Sequence, residues 1–214
     1  MKYNFALQKG DRSQEAVAVH QTCVMDGHKI QYFDNYKKVP EDFIPCGTVE
    51  WCLKILGKPV TPDYYPDFLK AFLFRKVWQT NEWPLGEKVF IKPADKYKRF
   101  TGFVTNGGYR GKKRGPYWCS NVVTFKNEWR YYISYGKILD TGWYWGDELN
   151  TPPAPVLGFD IPSDYCGALD FGDMDGFLAL IEANHPFACG WYGTDYRTYT
   201  QWIVDGWQYM KALI

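Results

Sequence analysis

The sequence predicts an α+β protein, on three observations. In the first third, strand-like and helix-like runs alternate, which is the signature of a small α/β unit. Short β-rich runs then follow one another through the middle. Finally, two apolar runs joined by an Asp/Gly turn, Asp173 to Gly176, read as a β-hairpin near 168–184. An amphipathic helix is expected after it, from Asp195 to Leu213, with Tyr199, Trp202, Ile203 and Trp207 on its buried side.

The elements follow in order. Lys2 to Leu7 alternates as a first strand, Glu15 to Val19 is helical, and His28 to Phe33 is a second strand. Asp34 to Phe43 is polar and loop-like. Gly47-Thr48 followed by the amphipathic run Val49 to Leu56 reads as a capped helix, with Thr48 as N-cap. Prolines punctuate a loop from Pro59 to Pro66. Apolar residues at helical spacing (Phe68, Leu69, Phe72, Leu73) predict a helix over Asp67 to Val77 that ends near Arg75-Lys76. Glu87 to Pro93 is a strand, and a basic loop and another strand reach Val104. Tyr117 to Phe125 and Asn127 to Ile133 flank a polar turn, with a return strand through Ile138. Asp140 to Pro162 is rich in Trp, Tyr and Pro, and lines a pocket or covers the sheet.

Composition narrows the function classes. Charge is balanced, 25 basic against 24 acidic residues, so a generic nucleic-acid binder is disfavoured. The six cysteines (Cys23, Cys46, Cys52, Cys119, Cys166, Cys189) lack CxxC spacing, which disfavours a zinc site or a disulfide scaffold and fits free thiols in a reducing cytoplasm. No apolar run approaches the roughly 18 residues of a membrane span, and the first residues lack the apolar stretch of a signal peptide. Aromatic residues make up 19% of the chain, enough to line a core and a pocket with large rings or to form a stacking surface.

Two places carry chemistry. In the hairpin, Asp170 falls near the far end of its partner strand, where Glu182 and Asn184 sit at i and i+2 and point to one face. Two carboxylates and a carboxamide oxygen make an all-oxygen set of the kind that hard divalent cations prefer; the alternative is a turn aspartate and an edge-strand glutamate. In the strand Glu87 to Pro93, Lys92 sits at the inner end of an apolar run, where an ammonium needs an anionic partner. No G-x-x-x-x-G-K-[ST] is present, so this is not a P-loop protein. The glycine-rich basic loop Asn106 to Pro116 reads as a lid, a docking surface for an acidic substrate, or a mobile connector.

An Asp on one strand and a Glu-x-Asn on the next resemble the metal-binding end of the ATP-grasp ligases. Lys92-Pro93-Ala94-Asp95 followed by Lys98-Arg99-Phe100-Thr101-Gly102, then Glu128-Trp129-Arg130, resemble the phage-associated clade of that superfamily named for a recurring arginine and two lysines. Pro45 to Glu50, Tyr65-Pro66 and Arg75 are similar to its leading region, and Gly190-Trp191-Tyr192-Gly193 to its last turn.

The resemblance implies an ATP-grasp fold of two α+β lobes with ATP between them, over 81–214, preceded by a small α/β pre-ATP-grasp unit over 1–80. Within 81–214 it places the lysine strand and basic loop at 87–116, the hinge at 117–133, the metal hairpin at 165–190 and the last helix at 195–213. It implies Mg2+ (or Mn2+) held by Asp170, Glu182 and Asn184, and ATP held by Lys92, Lys98, Arg99, Glu128 and Arg130. The backbone of Ser120, Asn121, Val122 and Val123 would read adenine. Arg130, Lys98 and Arg75 would act in catalysis, Arg130 facing the transferred phosphate through its fork of donors; a cross-strand Arg130–Glu pair and a helix C-terminal Arg75 are the structural alternatives.

The implied activity is ATP-dependent joining of a small-molecule or peptide carboxylate to an amine through an acyl phosphate. The alternative is a non-catalytic relative that binds a nucleotide or, less favoured, nucleic acid through the basic loop. The location implied is the cytoplasm, that of the host if the chain is phage-encoded.

Overall fold

Strand β1 (Asn4–Gln8) runs parallel to β2 (Lys29–Phe33) on one side and β3 (Phe43–Cys46) on the other. The computed structural model describes residues 1–58, 60–95, 99–108, 111, 113–193 and 195–214. Helix α1 (Gln14–Asp26) connects β1 to β2; Ser13 caps it, and Gly27 ends it in the left-handed region at φ 67°. Helix α2 (Val49–Leu56) follows β3, and the Thr48 hydroxyl accepts the Trp51 N–H as the sequence predicts.

The remaining strands form two antiparallel sheets. One has the order β4-β7-β5-β6, from β4 (Val77–Thr80), β5 (Val89–Pro93), β6 (Phe103–Thr105) and β7 (Tyr117–Asn121). The other has the order β11-β10-β8-β9, from β8 (Glu128–Ser134), β9 (Lys137–Trp145), β10 (Gly167–Met174) and β11 (Phe177–Asn184). The hairpin turn between β10 and β11 closes as predicted, with the Gly176 N–H donating to the Asp173 carboxylate at 2.9 Å.

Helix α3 (Tyr196–Ala212), capped by Asp195, packs against α1 and against β8. Its Trp202, Ile203, Trp207 and Met210 share a core with Phe5, Leu7, Val19 and Trp51 of the parallel unit. The opposite face of the β8–β11 sheet presents Trp129, Tyr131, Ile133 and Phe171. A strap that includes Leu157, Phe159 and Ile161 covers it, tied by Trp129 Nε1 donating to the Pro152 carbonyl and Tyr131 Oη to the Pro155 carbonyl.

Several elements depart from the expectations. Asp67–Phe72 is a 3-10 turn rather than the start of a helix reaching Val77. Phe74 takes φ 47°, a left-handed conformation no α-helix can pass through, and β4 begins three residues later. Arg75 is therefore not at a helix C-terminus. Residues 77–80, assigned by sequence to the N-terminal region, pair with β7 in the lysine-bearing sheet. Phe43–Cys46 is a strand that begins at the end of the predicted loop, and β9 continues to Trp145, past the predicted return strand.

Candidate active site

The site begins as a row across one sheet. Antiparallel pairing sets Arg130 of β8 directly opposite Asp170 of β10, and Asp170 opposite Glu182 of β11. A bulge at Ile181, between the pairs Asp170–Glu182 and Phe171–Leu180, adjusts β11 at this point. Two carboxylates facing one another across a ladder repel. Here each is met by a cation. Arg130 clasps Asp170 with two nitrogens, Nε to Oδ1 at 2.7 Å and Nη2 to Oδ2 at 2.8 Å. Lys92, arriving from the other antiparallel sheet, places Nζ 2.5 Å from Glu182 Oε2. Asn184 bridges the two acids, donating its amide to Glu182 Oε1 at 2.9 Å and to Asp170 Oδ2 at 3.2 Å. Lys92, Asp170 and Asn184 are 7%, 2% and 5% exposed, so the chain of charges is nearly enclosed and its four ions sum to zero.

Local structure explains how the lysine gets there. Along β5, Val89 and Ile91 are buried, and Ile91 packs with Tyr117 and Cys119; Phe90 and Lys92 point the other way, into a cavity of about 500 Å³. That cavity lies between the two antiparallel sheets. Arg75, Lys92, Ser120 to Val123, Glu128 and Glu182 line it, with Phe90, Thr101 and Gly102 along one wall. The segment expected to be the hinge, the lysine expected to meet phosphate and one carboxylate expected to hold metal thus border one space.

Burial shifts several groups around this site. It raises the Glu128 carboxyl above its usual range, and the negative charges of Asp170 and Glu182 add to the shift, against a hydrogen bond with Tyr144. Burial also raises the Tyr144 phenol, with Asp170 and Glu128 contributing. Burial opposes the charged form of Arg130, but the Asp170 carboxylate overcomes it and holds the guanidinium well above its ordinary value. The Arg130 guanidinium also lies over the Tyr192 and Tyr144 rings, 5.3 and 5.7 Å from their centroids, and donates through Nη1 to the Gly190 carbonyl at 3.3 Å.

Some predicted residues take different positions. Arg75 borders the cavity, but its Nη1 donates to the carbonyls of Leu73 and Leu180 at 3.1 and 2.6 Å, and its Nη2 to Ile181 at 3.0 Å. It clamps the outer edge of β11 beside Glu182 while bordering the cavity. Burial lowers its pKa, partly offset by Tyr65. Arg99 is absent from the cavity lining: it pairs with Asp95 at 2.6 Å and donates to the Arg114 and Gly115 carbonyls. Lys98 lies outside the described residues, as do Arg110 and Lys112 of that loop. Arg130 pairs across strands, as the structural alternative had it, with Asp170 in place of a glutamate. In the expected hinge segment, the Asn121 N–H donates to the Lys76 carbonyl and Asn121 Oδ1 accepts the Lys76 N–H, so Asn121 is tied to the residue before β4, while Val122 and Val123 follow the end of the ladder.

Sequence reasoning passed over Tyr64. Its ring lies 3.8 Å from Lys92 Nζ, and its carbonyl accepts the N–H of Ala183. The neighbouring Pro62 and Pro66 mark only a loop, and no periodicity signals such a contact.

The ATP-grasp domain of R2K clade family 2 matches residues 72–202. The chain belongs to that family. Solved structures agree on the fold. The R2K chain is similar to a RimK domain protein ATP-grasp from Sphaerobacter thermophilus DSM 20745, at a TM-score of 0.52 and 13% identity over 99% of both chains. It is also similar to N5-carboxyaminoimidazole synthetase from Staphylococcus aureus, at a TM-score of 0.50 and 10% identity, over 86% of this chain and 72% of that one. No curated protein sequence matches it. The fold of this R2K member is the ATP-grasp fold, and the parallel unit of β1 to β3 and Tyr64 stand ahead of the matched segment. Among the described residues no helix is long and apolar enough to cross a membrane.

The donor set fits a divalent cation. Among the described residues no three His, Cys, Asp or Glu side chains gather as a metal cluster. Magnesium, however, takes one or two carboxylates and completes its shell with water and substrate phosphates. Asp170, Glu182 and the Asn184 carboxamide are donors of that type; here Lys92, Arg130 and the Asn184 amide meet the oxygens of the two carboxylates.

Proposed function

We propose that this chain is an ATP-dependent carboxylate–amine ligase. The observation that carries the reading is Lys92 facing Glu182 in a cavity that the Ser120–Val123 segment also borders. ATP occupies that cavity in this reading, its adenine against the backbone of Val122 and Val123 and its phosphates toward Lys92. Glu128, hydrogen-bonded to Tyr144, borders the same cavity and serves the sugar.

Asp170, Glu182 and Asn184 would hold magnesium, which neutralises phosphate charge when bound. Phosphoryl transfer asks the protein mainly for position and fixed charge. Lys92 supplies a positive charge at the cavity wall. Arg130 holds Asp170 in place through both of its carboxylate oxygens. A carboxylate oxygen of the first substrate bonds to the γ-phosphorus, the bond from that phosphorus to the β,γ-bridging oxygen breaks, and ADP leaves. The amine nitrogen of the second substrate then bonds to the acyl carbon, the carbon–oxygen bond to phosphate breaks, and phosphate leaves with the nitrogen losing a proton to solvent. No protein nucleophile is required.

Titration calorimetry with a non-hydrolysable ATP analogue, with and without Mg2+, tests this on wild type and Glu182→Gln. Metal-dependent binding that the substitution weakens supports the reading and justifies screening acids and amines for ADP release. No binding under any condition overturns it.

A further inference from the structure

Tyr64 belongs to neither antiparallel sheet and precedes the family match, yet it touches both walls of the cavity. Its carbonyl accepts the N–H of Ala183 at 2.9 Å, the residue between Glu182 and Asn184. Its ring centroid lies 3.8 Å from Lys92 Nζ, and the Tyr65 ring lies 4.8 Å from the same nitrogen. Tyr64 is 3% exposed. Tyr65 meets Trp118 edge-on at 4.8 Å, and Trp118 is the cross-strand partner of Lys92. One carboxylate and two rings therefore hold a single ammonium.

The two kinds of contact treat its charge differently. A carboxylate at 2.5 Å neutralises it. An aromatic face attracts a cation through its quadrupole and has no net charge of its own, so it fixes the ammonium without discharging it. A lysine that must serve a phosphate needs the second kind of partner whenever its carboxylate is engaged elsewhere. We propose that Tyr64 is the positioning residue of Lys92, holding the ammonium at the cavity wall while Glu182 serves the metal. This rests on the ATP-binding reading above. It requires the ring and not the hydroxyl, so phenylalanine suffices and an aliphatic side chain does not.

The test uses calorimetry on the full chain with two probes, the non-hydrolysable ATP analogue with Mg2+ and adenosine, which has no phosphates. The variants are Tyr64→Phe, Tyr64→Leu, Lys92→Met and the double variant Tyr64→Leu/Lys92→Met. Tyr64→Phe is expected to bind the analogue as wild type does. Tyr64→Leu is expected to weaken it roughly tenfold, the size of a desolvated cation–π contact, and to leave adenosine unchanged. In the Lys92→Met background, Tyr64→Leu is expected to add nothing. Equal losses in both backgrounds, a Phe variant as weak as Leu, or a matching loss for adenosine would each reduce Tyr64 to packing and overturn the proposal. If Tyr64→Leu does not fold, Tyr64→Met carries the same comparison. A wild type that binds no analogue overturns the ATP reading itself, and is seen before any variant is made.

Discussion

Lys92 and Glu182 meet at 2.5 Å although 90 residues separate them and they stand on different sheets. With side-chain exposures of 9% and 23%, the pair is partly shielded from water. Removing one partner leaves the other without its counter-ion. Lys92→Met is expected to cost about 1–3 kcal/mol of stability, and Lys92→Met with Glu182→Gln less than the sum of the two single changes. Urea unfolding of the four proteins measures this. Additive losses would mean that the two side chains do not stabilise one another.

Arg130→Lys keeps the charge and loses the fork. The guanidinium holds both oxygens of a buried aspartate, and an ammonium cannot reach both in that plane. A loss of about 2–4 kcal/mol is expected in the same unfolding measurement. Wild-type stability in this variant would show that the two-pronged contact contributes little.

The raised pKa of Glu128 has a definite pH signature. Its folded-state value lies above the unfolded value of about 4.3, so the folded protein binds the proton more readily. The stability from this group is full below the unfolded pKa and is lost as pH rises through the folded one. Glu128→Gln should flatten the stability profile over that window and raise stability at neutral pH relative to wild type. Urea midpoints from pH 4 to 8 decide it: parallel profiles for the two proteins would refute the assignment.

Gly206 sits inside α3 against Pro186, and a Cβ there would run into the Pro186 carbonyl. Helix propensity alone favours alanine by about 1 kcal/mol. Overpacking against a rigid backbone costs about 1–3 kcal/mol, so the contact decides the sign. Gly206→Ala is expected to lower the thermal midpoint. A rise would mean that α3 can shift away from Pro186 at little cost.

Local chemistry was the readable part of this chain. The Thr48 cap, the Asp173–Gly176 turn and the i, i+2 relation of Glu182 to Asn184 each depend on neighbours in sequence, and each is seen in the fold. β3 was hidden by Pro45, which lacks an N–H and reads as a breaker. It is tolerated because β3 lies at the edge of its sheet, in the order β2-β1-β3. β4 was hidden by the helical spacing of Phe68 to Leu73, which continues until Phe74 turns left-handed. In the candidate site, residue types carried the carboxylates and the lysine, but not the side chains that meet them. Arg75 on the β11 carbonyls and Tyr64 beneath Lys92 are contacts between separate elements, and neither leaves a period in the sequence.

The core shared by α3 and the parallel unit bears on how the polypeptide matures during synthesis. Phe5, Leu7 and Val19 are made first, whereas Trp202, Trp207 and Met210, which cover the same core, are made nearly two hundred residues later. Until that helix leaves the ribosome the opening βαβ segment has an open apolar side, a surface that chaperones bind and neighbouring nascent chains can stick to. A stalled or prematurely terminated product lacking α3 is therefore exposed to aggregation at its beginning, far from the point of truncation.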